Sequence, residues 1–376
     1  MTRQAVNLSL IGTTRDRALD GLRGIAALMV FFSHVAMMTW FPREGGAAPN
    51  DLEYAMWHLG APAVDLFFVL SGYVLAASLE GVKIDGATIG SFLARRWVRL
   101  MPVAWVGVAL GLAVRTLIVP MQQDPLVGMI NMDQPLRWQD WVGFITFTFP
   151  MPDTDRFNVP LWTLVMEMYA SFLIPVTVAG VRKKGRLFLL PAFTSWIILW
   201  YVSGRLEFMT LPLFVLGVAV RVYAADLPRK SLKVALMIGL LLVFSRYLLD
   251  VLHVWQRYVS GVGAALLILA VRGGAARAFL TCAPVGWLGK ISYPFYAVHF
   301  PLVVASSILL SAKGVGSTLA AMMALPVALA VAEVVHRTIE QLSIRTSRRM
   351  AWKGKSLAGQ RLPKRLRPLE HFHEER

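Results

Sequence analysis

The sequence predicts an all-α, polytopic integral membrane protein with about ten transmembrane helices and with both termini in the cytoplasm. Three observations favour this fold class. Of the 376 residues, 56% are hydrophobic and 16% are charged, whereas soluble domains carry roughly 25% charged residues. The mean hydropathy is +0.57. Apolar stretches long enough to cross a bilayer recur along the whole chain.

The predicted membrane-crossing stretches approach the roughly 20 mostly apolar residues that a bilayer requires. They are Leu22–Phe41, Ala61–Leu79, Met101–Val119, Val159–Ala179, Leu187–Ser203, Leu206–Val222, Leu232–Leu249, Tyr258–Val271, Ile291–Ala312 and Ser317–Val335. A further apolar segment, Trp138–Phe149, is shorter and is followed directly by a proline. We expect this segment to be interfacial or re-entrant.

The charge of the chain has an unusual sign for its hydrophobicity, because 38 Lys and Arg stand against 22 Asp and Glu, a net charge of +16. Such a basic balance is typical of nucleic-acid-binding proteins. With the N-terminus in the cytoplasm, however, the predicted helices place the large majority of these cations on the cytoplasmic side, as the positive-inside rule requires. We therefore expect contact with membrane lipids and no nucleic-acid partner.

The first predicted helix carries a polar stripe. Arg23 and His34 are eleven residues apart, which leaves them within roughly 20° of one face, and Asp20 falls on the same stripe. His34 would lie about 16 Å deeper than Arg23, near the middle of the bilayer, where polar groups are costly. The stripe favours a functional histidine. The alternative is a histidine that only bonds a neighbouring helix.

The fourth predicted helix offers an acid from the opposite surface. Asn158 is expected to cap this helix and Pro160 to lie in its first turn. Glu167 would then lie roughly 12 Å inside, at a depth similar to that of His34. A carboxylate bonded to an imidazole fixes the tautomer and favours a general base. That Glu167 contacts His34 is a hypothesis, because spacing does not establish tertiary contact.

Two further polar groups follow helical spacing. Arg96 and Arg99, at i and i+3, suit a phosphate-bearing ligand, although they also suit ordinary topology-determining charge. Ser292, Tyr296 and His299 share one face of the ninth helix. They either form hydrogen bonds between helices or line a second wall of the same cavity.

Other patterns carry less chemistry. The Ser71-Gly72 pair permits close helix approach. The chain has a single cysteine and shows no phosphate-binding loop, zinc-binding HExxH or CxxC motif, so neither a disulfide framework nor a metal is expected.

Five segments in order resemble the membrane acyltransferase-3 family, which includes bacterial O-antigen and exopolysaccharide O-acetylases. They are RALDGLRGIAALMVFFSH, VDLFFVLSGY, RRWVR, LWTLVMEMY and LGKISYPFYAVHFP. The resemblance predicts a membrane acyltransferase domain at residues 1–340 and leaves a basic cytoplasmic tail at 341–376. One departure follows Glu340, where the family usually has proline and this chain has Gln341 and Leu342. It leaves the end of the last helix open.

The resemblance also implies roles for individual residues. The implied catalytic residues are His34, Glu167 and Arg23. The residues implied to bind the acyl-CoA donor are Arg96, Arg99, Ser71, Tyr296 and His299. By the same resemblance, the protein would transfer an acyl group, with acetyl as the leading candidate, from cytoplasmic acyl-CoA to a hydroxyl of a glycan or glycolipid. It would act in the bacterial cytoplasmic membrane, either directly or with a separate periplasmic acyl-transfer partner.

The same polar faces would also suit a transporter or flippase, in which they line a substrate path. That class often shows paired broken helices in two related halves, and no such internal symmetry is evident in the sequence. A purely structural membrane scaffold is a third alternative. It would not account for polar faces at matching depth on three helices.

Overall fold

The fold is all-helical in the computed structural model, which describes residues 16–40, 50–121, 132–148, 152–204, 206–223, 228–245 and 255–350. The α-helices in these ranges are α1 (Arg17–Trp40), α2 (Asp51–Trp57), α3 (Gly60–Ser78), α4 (Gly86–Leu117), α5 (Trp138–Thr146), α6 (Trp162–Lys184), α7 (Leu189–Ser203), α8 (Leu211–Tyr223), α9 (Arg229–Phe244), α10 (Gln256–Arg272), α11 (Arg277–Leu280), α12 (Ala283–Ser311), α13 (Ser317–Met322), α14 (Ala324–Val335) and α15 (Gln341–Arg349). The predicted all-α class is confirmed.

Among the described residues, 7 helical runs are long and apolar enough to cross a membrane. The predicted stretches Leu206–Val222 and Tyr258–Val271 overlap the shorter helices α8 and α10. The predicted stretch Leu232–Leu249 overlaps α9, and its residues 246–249 lie outside the described residues. The protein is therefore a multi-pass membrane protein by helix length and composition. The count of ten and the cytoplasmic termini remain predictions.

Helices α1 and α12 form the centre of the bundle and pack through glycine. A Cβ on Gly24 would lie 2.6 Å from the backbone nitrogen of Gly289, and a Cβ on Gly289 would lie 2.4 Å from the carbonyl oxygen of Asp20. Further along the two helices His34 meets His299, and this pair has the same separation of 265 residues as Gly24 and Gly289. The two helices therefore run parallel and in register, and the small residues bring their backbones together.

A second close crossing joins α3 to α8. A Cβ on Gly72 would lie 2.1 Å from the carbonyl oxygen of Phe214, and one on Gly217 would lie 2.1 Å from that of Val69. The close approach predicted from the Ser71-Gly72 pair is confirmed. It presents Ser71, next to this contact, to the interior of the bundle.

The expected capping role of Asn158 is wrong. Its side chain makes no capping bond to the turn Val159–Leu161 that precedes α6. Instead its amide nitrogen donates to the carbonyl oxygens of Gly107, at 3.0 Å, and Ala297, at 2.9 Å. Asn158 is wholly buried and ties the start of the α6 segment to α4 and α12, because both of those helices leave a carbonyl within its reach.

Helix α5 occupies the segment expected to be interfacial or re-entrant. Its 9 residues cover only about 14 Å, too short for a bilayer core of about 30 Å. Trp138, Trp141 and Ile145 are exposed on one side of it. On its buried side, burial disfavours the charged form of Asp140, but the N–H groups of Arg137 and Asp153 donate to the carboxylate and hold its pKa below the usual range. An interfacial position remains a prediction.

One end of the bundle gathers basic side chains. The Arg221 guanidinium, at the end of α8, pairs with the Glu80 carboxylate beyond α3, and the Arg272 guanidinium lies 5.3 Å from the Tyr73 ring. Arg277 lies 3.9 Å from Asp16, at the start of α1. We call this the basic end of the bundle.

Candidate functional site

A cavity of about 960 Å³ extends from the basic end into the bundle. Charged residues dominate its outer part. Its inner part is lined by the aromatic and aliphatic side chains of Phe67, Phe68, Leu161 and Leu164, together with polar Thr163. The cavity therefore offers one long site with a charged mouth and an apolar inner end.

The mouth carries an excess of positive charge. The lining includes nine Lys and Arg side chains and five Asp and Glu side chains. Each acid already pairs with a neighbouring side chain. The pairs are Asp16–Arg277, Asp20–Arg23, Glu80–Arg221, Glu167–Arg96 and Glu340–His336.

The other lining cations have no acid at ion-pair distance within the part of the chain that the structure describes. They are Arg17, Arg99, Arg272, Lys290 and Arg348. A site with surplus cations and no surplus acids favours a ligand that bears several negative charges. Guanidinium groups in particular match phosphate geometry.

Glu167 lies on the cavity wall and belongs to a hydrogen-bond network with Ser71, Arg96 and Ser171. Its carboxylate accepts hydrogen bonds from Ser71 Oγ at 2.9 Å and from Arg96 Nη2 at 2.6 Å. Arg96 Nε also donates to Ser171 Oγ, at 2.5 Å, one helical turn further along α6. This network joins α3, α4 and α6 and holds the Arg96 guanidinium in one orientation.

Tyr296 closes the inner end of the cavity. Its hydroxyl lies 3.0 Å from Thr163 Oγ1 and 3.3 Å from the carbonyl oxygen of Pro160. Its ring contacts the Phe67 ring, with centroids 5.5 Å apart, and the His299 ring, at 5.8 Å, and Tyr296 lines the cavity whereas His299 does not. One aromatic layer therefore separates the cavity from His299.

His34 and His299 form a hydrogen-bonded pair behind that layer. His34 Nδ1 and His299 Nε2 are 3.0 Å apart, and His299 is wholly buried. His299 Nδ1 lies 2.9 Å from the Tyr296 carbonyl oxygen and 3.1 Å from that of Phe295. Because a carbonyl only accepts hydrogen bonds, His299 Nδ1 carries the hydrogen.

The tautomer of His34 follows from this arrangement. A neutral imidazole has one N–H, so His299 Nε2 is an acceptor and His34 Nδ1 must donate to it. The remaining nitrogen of His34, Nε2, then carries a lone pair. A histidine held in this tautomer can accept a proton from a substrate hydroxyl.

The expected contact between His34 and Glu167 is wrong. The partner of His34 is His299, and Glu167 is bonded to Ser71 and Arg96. The expectation was based on the similar depth of His34 and Glu167 in the bilayer. Several helices of the bundle have residues at that depth, so depth alone does not identify the partner of His34. Whether Glu167 has a catalytic role stays a prediction.

The other predicted site residues divide between the cavity and its surroundings. Arg23, Arg96, Arg99, Ser71 and Tyr296 all line the cavity, and Arg23 lies 3.6 Å from Asp20 as its helical spacing suggests. His34 and His299 do not line it. His299, assigned to donor binding by resemblance, is therefore better placed to orient His34.

Sequence reasoning missed the last wall of the cavity. His336 and Glu340, in the π-helical turn His336–Glu340, line it and bond to each other. Tyr293 also lines it and donates to the Leu100 carbonyl oxygen at 2.6 Å. The i, i+4 spacing of His336 and Glu340 was the available signal.

The chain is similar to several curated proteins. It is 30% identical over 192 residues to "Acyltransferase MdmB" of Streptomyces mycarofaciens, a match that covers 50% of this chain and 43% of that protein. It is 39% identical over 94 residues to "Protein 2 in picA locus" of Rhizobium radiobacter, covering 24% of this chain and 41% of that protein. The chain thus spans less than half the length of these two relatives.

A longer match at lower identity extends the similarity to a fungus. "Acyltransferase R4" of Phoma sp. (strain ATCC 20986 / MF5453) is 24% identical over 401 residues, covering 76% of this chain and 82% of that protein. No solved structure matches the chain significantly.

One protein-family model matches most of the chain. The family model described as an acyltransferase domain, that of the acyltransferase-3 family, matches residues 16–337. The matched region begins directly before α1 and ends within the π-helical turn, so it includes the Glu167 network, both histidines and the cavity lining up to His336. The chain belongs to the acyltransferase-3 family.

Proposed function

We propose that the protein transfers an acyl group, with acetyl as the leading candidate, from cytoplasmic acyl-CoA to a hydroxyl of a cell-surface or lipid-linked glycan in the bacterial cytoplasmic membrane. Membership of the family supports acyl transfer itself. The CoA donor, the glycan acceptor and the role of His34 are the finer parts of the proposal. The glycan acceptor is taken from the resemblance to O-antigen and exopolysaccharide O-acetylases.

The observation that carries the CoA assignment is the charge pattern of the cavity. CoA bears a 3′-phosphate and a pyrophosphate at one end and a long, uncharged pantetheine arm at the other. The cavity mouth has cations that lack an acid partner among the described residues, Arg99 and Lys290 among them, and apolar side chains such as Phe67 and Leu164 line its inner end. The two distributions match in order and in sign.

The orientation of the cavity fits a cytoplasmic donor. Its mouth lies at the basic end of the bundle, and the positive-inside rule assigns that end to the cytoplasm. The donor then enters from the side on which cells hold acyl-CoA. His34 is partly exposed and does not line the donor cavity, so the acceptor approaches it from outside that cavity.

In the first of two possible reaction sequences, His34 acts as a general base. His34 Nε2 takes the proton from the acceptor hydroxyl, and the hydroxyl oxygen attacks the thioester carbonyl carbon. A C–O ester bond forms and the C–S bond breaks. The departing CoA thiolate then takes the proton from His34. In the alternative sequence, His34 Nε2 attacks the thioester carbonyl carbon and the C–S bond breaks, which releases the CoA thiolate. The hydroxyl oxygen then attacks the acyl carbon, the C–N bond breaks, and the hydroxyl proton is taken up by the CoA thiolate.

Tyr296 must move for the two substrates to meet. Its ring lies between the inner end of the cavity and His299. The thioester reaches His34 when this ring turns aside. The arrangement keeps the thioester away from the acceptor side while the ring is in place.

Purified protein in lipid nanodiscs tests the proposal directly. We expect acetyl-labelled acetyl-CoA to lose its label to a glycan or glycolipid fraction from the host membrane, with free CoA as the second product. If the protein is denatured in the absence of added nucleophiles, which would remove an acetyl group from imidazole, peptide mass analysis would detect an acetyl-imidazole on His34. This measurement decides between the two reaction sequences. Uptake of a glycan into vesicles without any consumption of acetyl-CoA would instead support a transporter and overturn the proposal.

A further inference from the structure

We infer that helix α15, in the segment expected to be a cytoplasmic tail, is part of the donor site and that Arg348 on it binds a phosphate group of the donor. This inference rests on the proposed function, because it concerns where the nucleotide end of CoA lies. It adds a residue outside the matched family region, which ends at residue 337.

The helix reaches the cavity because the chain stays helical beyond Glu340. A proline at 341 or 342, as expected from the resemblance, would remove a backbone donor and crowd the preceding turn. Gln341 and Leu342 have no such effect, and one helical run extends from Ser317 to Arg349. The domain boundary expected at residue 340 therefore falls inside a continuous helix, while residues 351–376 of the predicted tail lie outside the described residues.

One face of this run lines the cavity. His336, Glu340, Ile344, Ser347 and Arg348 all contribute to the lining, at spacings of three, four or one residue. Residues three and four apart lie on the same side of a helix. Ser343 and Ser347 are buried, so α15 lies packed against the bundle.

The arginines of α15 differ in what they face. Arg345, Arg348 and Arg349 are all exposed, but only Arg348 lines the cavity. Arg348 has no acid at ion-pair distance in the described parts of the chain, and the nearby Glu340 is bonded to His336. A guanidinium that faces a cavity without an acid partner is suited to bidentate binding of a phosphate group.

Arg348 acts with a second cation that has no acid partner among the described residues. Arg99, on α4, also lines the cavity, and α15 packs against α4. The electrostatic neighbours of the Arg99 guanidinium include Glu340, immediately before α15. The two arginines thus approach the cavity mouth from adjoining helices and can hold different phosphoryl oxygens.

The test compares two probes and two matched variants of the full chain. CoA carries the phosphates, and pantetheine is the same thiol arm without them. Arg348→Gln removes the cavity-facing charge, and Arg345→Gln makes the same substitution on the face of α15 that does not line the cavity. Dissociation constants are measured for protein in nanodiscs by isothermal titration calorimetry or by competition with labelled CoA.

We expect Arg348→Gln to weaken CoA binding about tenfold, the effect of one lost charge-assisted contact, and to leave pantetheine binding unchanged. Arg345→Gln should change neither, and Arg348→Lys should recover part of the loss. Equal effects of the two glutamine substitutions on CoA, or equal effects of Arg348→Gln on both probes, would overturn the inference. Wild-type protein that binds no CoA at all would instead overturn the proposed donor.

Discussion

The histidine pair and the charged cavity use opposite physical means within one bundle. His34 and His299 lie between parallel helices in close backbone contact, and His299 has its hydrogen bonds satisfied by carbonyl oxygens and by the other ring. The cavity mouth carries more cations than acids. The histidine pair therefore fixes the proton on one nitrogen of each ring, and the cavity mouth offers positive charge to a ligand.

The difference indicates why the two regions are separated by Tyr296. Cations close to a histidine disfavour its protonated form and so weaken it as a base, whereas a binding site for phosphates needs those cations. One aromatic layer, formed by Tyr296 with Phe67, lies between them. Binding and proton transfer can therefore be disrupted independently, and the following substitutions use that independence.

The largest effect is expected for His34→Ala. It removes the only group of the pair with an available lone pair, and general-base assistance contributes roughly 100- to 10,000-fold to a rate. We expect acyl transfer by purified protein to fall by that factor while the dissociation constant for CoA stays the same.

His58→Ala is the matched control for this substitution. His58 lies between α2 and α3, where its Nδ1 bonds the Tyr54 carbonyl oxygen at 2.8 Å, and it does not line the cavity. A His34→Ala protein with normal turnover, or a His58→Ala protein with the same loss, would contradict the assignment of the base.

A smaller effect is expected for His299→Ala, because His299 only positions His34. Without an acceptor for its Nδ1 hydrogen, His34 populates the other tautomer and loses the available lone pair for part of the time. We expect kcat to fall roughly 10- to 100-fold with little change in KM, the usual cost of losing a partner that orients a functional histidine. His299→Gln should recover part of kcat, since its amide oxygen can accept from His34. A rise in KM for acyl-CoA with kcat unchanged would instead support the donor-binding role implied by resemblance.

The smallest effect is expected for Gly289→Ala, which acts on the packing that brings the pair together. The added Cβ would lie 2.4 Å from the Asp20 carbonyl oxygen, so α1 and α12 must separate. We expect the free energy of unfolding to fall by about 1–3 kcal/mol, with a partial loss of acyl transfer. Denaturation in mixed detergent micelles, followed by tryptophan fluorescence, measures the change.

Gly286→Ala provides the control one turn earlier on α12. Its Cβ would meet its nearest neighbour, the Thr281 carbonyl oxygen, at 3.7 Å, an ordinary contact. It should leave both stability and turnover nearly unchanged. Equal destabilisation by the two alanines would show that glycine at 289 has no special role in helix approach.

Relations within a helix were predictable, and relations between helices were not. The shared face of Arg23 and Asp20 follows from 3.6 residues per turn, and the two side chains are indeed ion-paired. The partner of His34 was mistaken, because the depths of Glu167 and His299 along their helices are both compatible with it. Only the rotation of α12 about its axis, set by the Gly24–Gly289 contact, brings His299 forward.

The sequence by itself determined the all-helical membrane class, the family and six of the residues that line the cavity, because hydrophobic periodicity and ordered motifs are properties of the chain in one dimension. Only the tertiary structure decided which polar groups pair, that Asn158 bonds two helices instead of capping one, and that α15 reaches the cavity. The physical reason is that a buried polar group takes whichever partner the packed backbones leave within about 3 Å, and helix packing is determined by small residues far away in the chain.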